Sequence, residues 1–300
     1  MQQEAKEILE SHKKWLLNKM DGKKANFKQL DLSLADLSGL DLSGVDFFGA
    51  NLEATNLIGA NLYKTNFTNA NLSYANLNEA NLNEADLSYV NLKKADLSNA
   101  SLCGAYLPEA NLNDANLEKS DLTRAYLNGS SLKNANLNNA NLYGAQFNEV
   151  NLQGAELDNA DLSMANLMAA YLQGASLLSA KLCNAKLSNA DLKNANLTNT
   201  DLTNVDLTNT DLTNAILYKS ILTNTLIKNA NLKNTSFIET NLDNDDLSNT
   251  NLKKENNNIK NFVKDFKDLV KNYKNLGVST EQITTALSKI INVKNNELKR

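Results

Sequence analysis

The 300-residue sequence is poor in the residues that build catalytic and cross-linked sites, with one His, one Pro, one Trp and two Cys. With no second histidine, His12 has no imidazole partner for a metal cluster, and it reads as a surface residue of the first helix, where polar side chains usually lie. No apolar span reaches 18 residues, which excludes a membrane-crossing helix. Residues 1–20 are charged throughout and lack the apolar run of a secretory signal, so a soluble, cytoplasmic protein is expected. No paired-carboxylate cleft, nucleophile with a base or phosphate loop stands out. The expectation is therefore a protein that is not an enzyme and takes no cofactor.

What the chain has instead is Leu and Asn in register. The stretch ANLTNTDLTNVDLTNTDLTNA, from Ala195 to Ala215, places Leu197, Leu202, Leu207 and Leu212 five residues apart. The same period runs unbroken from Phe27 to Leu252, giving 46 repeats whose centres are 40 Leu, five Phe and Ile227. Two positions before the centre the residue is Ala in 28 of 46 repeats, and directly before it Asn or Asp in 32. A period of five smears around a helix and alternates across a strand, so neither buries these leucines consistently. A chain that bends every five residues does, with the centre and the small residue pointing inward and the other three outward. Asn or Asp before each centre is expected to bond the backbone at the bends.

The repeat A(N/D)LXX resembles that of the pentapeptide repeat family. The resemblance implies a mainly β fold, a right-handed four-sided parallel β-helix (a β-solenoid) of about 11.5 coils, each of 20 residues. Members are described as DNA mimics, bacterial effectors and differentiation factors. Phe27, Phe47 and Phe67, spaced by 20, independently favour four sides, because only then do they stack in one interior column. Cys103 and Cys183 then lie four coils apart, about 19 Å by strand spacing, too far for a disulfide.

The reading divides the chain into an N-terminal helical cap (1–24), the β-helix (25–254) and a C-terminal helical region (255–300). Ile8, Leu9, Trp15 and Leu16 are expected to lie over the first coil, where Leu30 and Leu40 widen the interior. Residues 259–276 switch to a helical period and a second helix follows Gly277, completing a C-terminal pair of α-helices. Phe262, Phe266, Leu269, Tyr273, Leu287 and Ile290 are its candidate interface, for capping, for a homodimer or for a partner.

The array carries 13 basic and 25 acidic residues, a net charge of −12. An acidic rod admits a DNA mimic, and the resemblance to gyrase-binding members of the family implies DNA gyrase or topoisomerase as its partner in that alternative function. A column of Lys93, Lys133, Lys193 and Lys233 interrupts the acidic surface and argues against it. Four lysines on an acidic rod are a poor nucleic-acid footprint, so neither direct nucleic-acid binding nor membrane binding is expected. Two apolar departures mark candidate contact surfaces. One is Ile216, Tyr218, Ile221, Leu226 and Ile238, to be covered by the C-terminal helices, a second subunit or a partner. The other is an aromatic face of Phe48, Tyr89, Tyr106 and Tyr126. The function expected is a non-catalytic interaction scaffold or effector whose protein partner the sequence does not name.

Overall fold

The computed structural model describes residues 3–241 and Thr250, all within one compact unit, Met1–Asn251. It begins with helix α1, Gln3–Leu16. From Asn26 onward, each residue before a centre forms a parallel bridge with the residue 20 later, unbroken from Asn26↔Asp46 to Ile216↔Ser236. Four five-residue sides therefore make one coil, and each coil pairs with the next.

The five amides of a repeat each have a destination, which is the accounting a regular backbone must satisfy. The centre donates to the next coil (Leu32 N to Asn51 O, 2.7 Å), as does the corner residue two places on (Leu34 N to Glu53 O, 2.9 Å). The residue before the centre donates back to the previous coil (Asn51 N to Leu30 O, 2.9 Å), and the small residue closes the turn (Ala35 N to Leu32 O, 3.0 Å). The remaining amide, directly after the centre, donates to the Asx side chain two residues earlier (Ser33 N to Asp31 Oδ1, 3.0 Å). Every corner residue from Gln29 to Glu239 has a positive φ, the conformation required of the third residue in a type II turn.

Centres and small residues fill the interior, as at Leu32 (0% exposed) and Ala35 (3%). Phe27, Phe47 and Phe67 stack with centroids 5.1 and 5.0 Å apart, in the column expected. Where Thr or Ser replaces Ala, its hydroxyl donates to a centre carbonyl: Thr55 Oγ1 to Leu32 O (2.9 Å), Ser120 Oγ to Leu117 O (2.7 Å). That bond removes the cost of a buried hydroxyl.

The first coil has no predecessor, so its outward carbonyls lack backbone donors. Here the structure corrects the reading of His12, which is buried rather than on the surface (2% exposed). Its Nδ1 accepts from Ala25 N at 3.2 Å, which leaves Nε2–H to donate to Asp41 O at 2.9 Å. One orphan carbonyl of the open edge is thus satisfied. The inward face of α1 is Ala5, Leu9 and His12, at the i, i+4, i+7 spacing of one helical stripe. Trp15 and Leu16, expected to face the coil, are 39% and 38% exposed. Trp15 instead stacks on His12 at 5.5 Å.

The proposed C-terminal helices, with Phe262, Phe266, Leu269, Tyr273, Leu287 and Ile290, lie outside the described residues. So do the last three centres, Leu242, Leu247 and Leu252.

Candidate functional site

The Asx bond supplies a rule against which departures can be read. Each described Asp directly before a centre accepts from the amide two residues on, including Asp86 (3.0 Å), Asp121 (2.9 Å) and Asp206 (2.9 Å). These bonds fix where the carboxylates point. At Asp31 and Asp36, bonds from Ser33 and Ser38 hold the carboxyl below its ordinary range. At Asp211 burial pushes the carboxyl up, but bonds from Thr213 and Lys193 outweigh it and the result is again lowered.

Some departures from Asn or Asp are repaired from the preceding coil. Ser101 cannot serve, and Asn83 Oδ1 accepts from Cys103 N at 2.7 Å. Likewise Asn113 accepts from Lys133 N (2.9 Å), Asn138 from Asp158 N (2.8 Å) and Asp158 from Leu178 N (3.0 Å). Others are not repaired. At Tyr106 the acceptor is lost, and the residue two on is Pro108, the only proline in the chain, which has no amide to satisfy. At Tyr126 the acceptor is lost and Asn128 N–H has no partner among the described residues. Ile216, Ile221 and Leu226 give up the same bond in three successive repeats, and Tyr171, Lys181, Lys186 and Ser236 also lack it without repair among the described residues. A stabilising interaction abandoned for an exposed apolar side chain is the kind of local inconsistency that marks function.

Of the aromatic face, the structure joins Tyr106 and Tyr126, whose rings are 5.9 Å apart and tilted by 57°. Tyr89 is one coil away, its amide bonded to Pro108 O at 3.0 Å. Phe48 stands apart from them, half-buried beneath Lys28, whose Nζ is 4.8 Å from its ring. Of the second set, Ile216, Tyr218 and Ile238 share one side, and Lys219 N donates to Ile238 O at 3.0 Å. Ile221 and Leu226, 47% and 60% exposed, occupy the two following sides, so the five do not form one patch.

Lys193, in the lysine column, is held by Asp191 (3.0 Å) and Asp211 (3.3 Å), whose bonds raise its pKa. Cys103 and Cys183 are free and half-buried. Among the described residues no cluster of His, Cys, Asp or Glu could hold a metal, and no helix is long and apolar enough to cross a membrane. The Asx repair and the role of Pro108 escaped sequence reasoning. Their signal was the coincidence of each repaired departure with an Asn or Asp 18 residues earlier, and of Tyr106 with a proline two residues later.

Comparison with known proteins places this architecture. A sequence profile described as pentapeptide repeats matches in eight copies that together run from residue 23 to 253. Among solved structures, the chain is similar to HetL, a pentapeptide repeat protein involved in heterocyst differentiation regulation from the cyanobacterium Nostoc sp. strain PCC 7120. Identity is 33% over 76% of this chain and 93% of that one, with a TM-score of 0.46. A pentapeptide repeat protein of the Arabidopsis thaliana thylakoid lumen is 31% identical over 34% of this chain and 71% of its own (TM-score 0.33). QnrB1, a plasmid-mediated fluoroquinolone resistance protein, is 17% identical over 73% and 93% (TM-score 0.43). No curated protein matches.

Proposed function

Since the chain belongs to the pentapeptide repeat family, whose members are generally structural or interaction proteins, we propose that it is a non-catalytic rod presenting register-fixed side-chain columns to a protein partner. The observation that carries this reading is the unrepaired loss of the Asx bond at the exposed apolar side chains Tyr126, Ile216, Ile221 and Leu226. A filled interior offers no cleft in which to enclose a substrate, so recognition falls to the outer faces.

In this reading the solenoid is right-handed and runs about 11.5 coils to Leu252. Helix α1 is its N-terminal cap, because an open solenoid end exposes strand edges. Residues 255–300 form a separate helical region.

Mimicry of DNA toward a topoisomerase is the weaker reading, because the Asp carboxylates before the centres are tied to turn amides and the lysine column interrupts the acidic surface. The test is affinity capture from source lysate with mass spectrometry, using the full chain beside a version ending at Lys254. A protein partner held by both supports recognition on the rod; one held only by the full chain moves it to residues 255–300. Gyrase subunits would favour mimicry, and no partner for either would overturn the reading.

A further inference from the structure

The tyrosines of the array divide into those already engaged and those left open. Tyr63 donates to Glu84 Oε1 (3.1 Å), and Lys64 Nζ lies 4.9 Å from its ring centre. Tyr218 repeats the arrangement with Glu239 (3.4 Å) and Lys219 (4.9 Å). Tyr74 has Lys94 at 5.6 Å. The protein thus uses a lysine on a tyrosine ring repeatedly as an internal staple.

Tyr89, Tyr143, Tyr171, Tyr106 and Tyr126 have no such staple among the described residues, and the two whose rings meet are Tyr106 and Tyr126. They are 49% and 46% exposed, and neither has a hydroxyl partner or a cation over its ring among the described residues. On the corner of the same side stand Glu109 and Glu149, both exposed and in no ion pair among the described residues. Glu109 reaches one coil forward to the level of Tyr126: a Cβ added to Gly129 would come within 2.5 Å of its Oε1. Gly129, at φ 69°, both turns the corner and leaves room for that carboxylate. Arg124, the nearby base, belongs to the preceding side, where it packs against Gly144.

Two open rings beside two unpaired carboxylates complement a cation in both quadrupole and charge. From residue 126 to the corner at 129 the side spans three residues, about 10 Å at strand rise. In a polyproline-type segment, residues three apart face the same way and are separated by about 9 Å. We propose that this side binds an extended basic segment of the partner protein, with one Arg or Lys on the Tyr106–Tyr126 pair and another, three residues along, against Glu109 and Glu149. The assignment rests on the reading of the array as an interaction rod.

The test is fluorescence anisotropy of the full chain with a labelled peptide of Gly and Pro bearing Arg at every third position, beside the same peptide with Glu for Arg. The Arg peptide is expected to bind and the Glu peptide not to. Tyr106→Ala with Tyr126→Ala should weaken binding about tenfold, whereas Phe at both positions, which keeps the ring faces, should hold it within about twofold. Glu109→Gln with Glu149→Gln should weaken it and flatten its salt dependence. Tyr143→Ala with Tyr171→Ala, on other sides, should leave it unchanged. Absence of binding, or equal weakening by the two Tyr-to-Ala pairs, would overturn the assignment, the latter by showing diffuse attraction to an acidic rod. If the Tyr106→Ala, Tyr126→Ala rod still captures its partner from lysate, only this assignment fails; if the unaltered rod captures none, the broader reading fails with it.

Discussion

The first five coils and the last described coils solve the same problem with different positions of the repeat. Near the N-terminus the Asn and Asp before the centres form ladders along the rod: Asn51 donates to Asp31 (3.0 Å), Asn71 to Asn51 (3.1 Å), Asn91 to Asn71 (2.9 Å) and Asn111 to Asn91 (3.2 Å). Toward the C-terminus the ladders move to the corners, running Asn184–Asn204–Asn224, Asn189–Asn209–Asn229 and Asn194–Asn214–Asn234 at 3.0–3.1 Å. The position not used for the ladder is released. Early corners carry Leu34, Tyr74, Glu84 and Tyr89, while the late positions before centres carry Lys181, Lys186, Ile216, Ile221 and Leu226. In each region most variation falls in the column that does not hold the coils together, with exceptions at Ser101, Tyr106 and Lys219.

The largest expected effect is one the two regions share, because the interior is the same in both. Leu52→Ala and Leu207→Ala should each cost about 2–5 kcal/mol in chemical denaturation; a cost confined to one would show that the regions differ in core and not only in surface. Next comes His12→Ala, expected to cost about 1–3 kcal/mol by orphaning Ala25 N and Asp41 O. It should raise amide exchange in the first coil and leave residues 184–234 unchanged.

The ladders break the comparison most directly. Asn71→Ala should cost about 1–2 kcal/mol, and Ala at the neighbouring corner, Glu79, almost nothing. In the C-terminal coils the order reverses, with Asn209→Ala the costly change, since Asn tolerates the left-handed corner better than Ala. Acid should have the smallest effect and act in both regions. Asp31, Asp36 and Asp211 have lowered pKa values when folded. The folded chain therefore holds fewer protons, and their contribution is complete above the ordinary aspartate value of 3.8 and lost as pH falls below it. A melting temperature that is level above that pH and declines below it is the expected result.

Much of this fold was legible because a five-residue period with no insertion admits few backbones, and the Phe27–Phe47–Phe67 spacing favoured four sides. The N-terminal edge was less so. His12 looks like a surface residue in a sequence that shows the polarity of its ring but not the orphan carbonyl of Asp41 waiting for it. Of the candidate surfaces, Tyr106 and Tyr126 were legible as neighbours from their spacing of 20. The separation of Ile221 and Leu226 from Ile216 follows from the same arithmetic, since residues five apart occupy successive sides. What a one-dimensional reading could not weigh was the hydrogen bond that each unrepaired departure gives up.

The account turns on that sacrifice being made for recognition. The direct measurement restores the Asx bond with Tyr126→Asn, Ile216→Asn and Leu226→Asn in one chain, then records both its melting temperature and its capture of the partner. The account predicts an unchanged or higher melting temperature together with loss of capture. Partner capture at full strength in the restored chain would contradict it, and would return these side chains to the ordinary variation of a solvated surface.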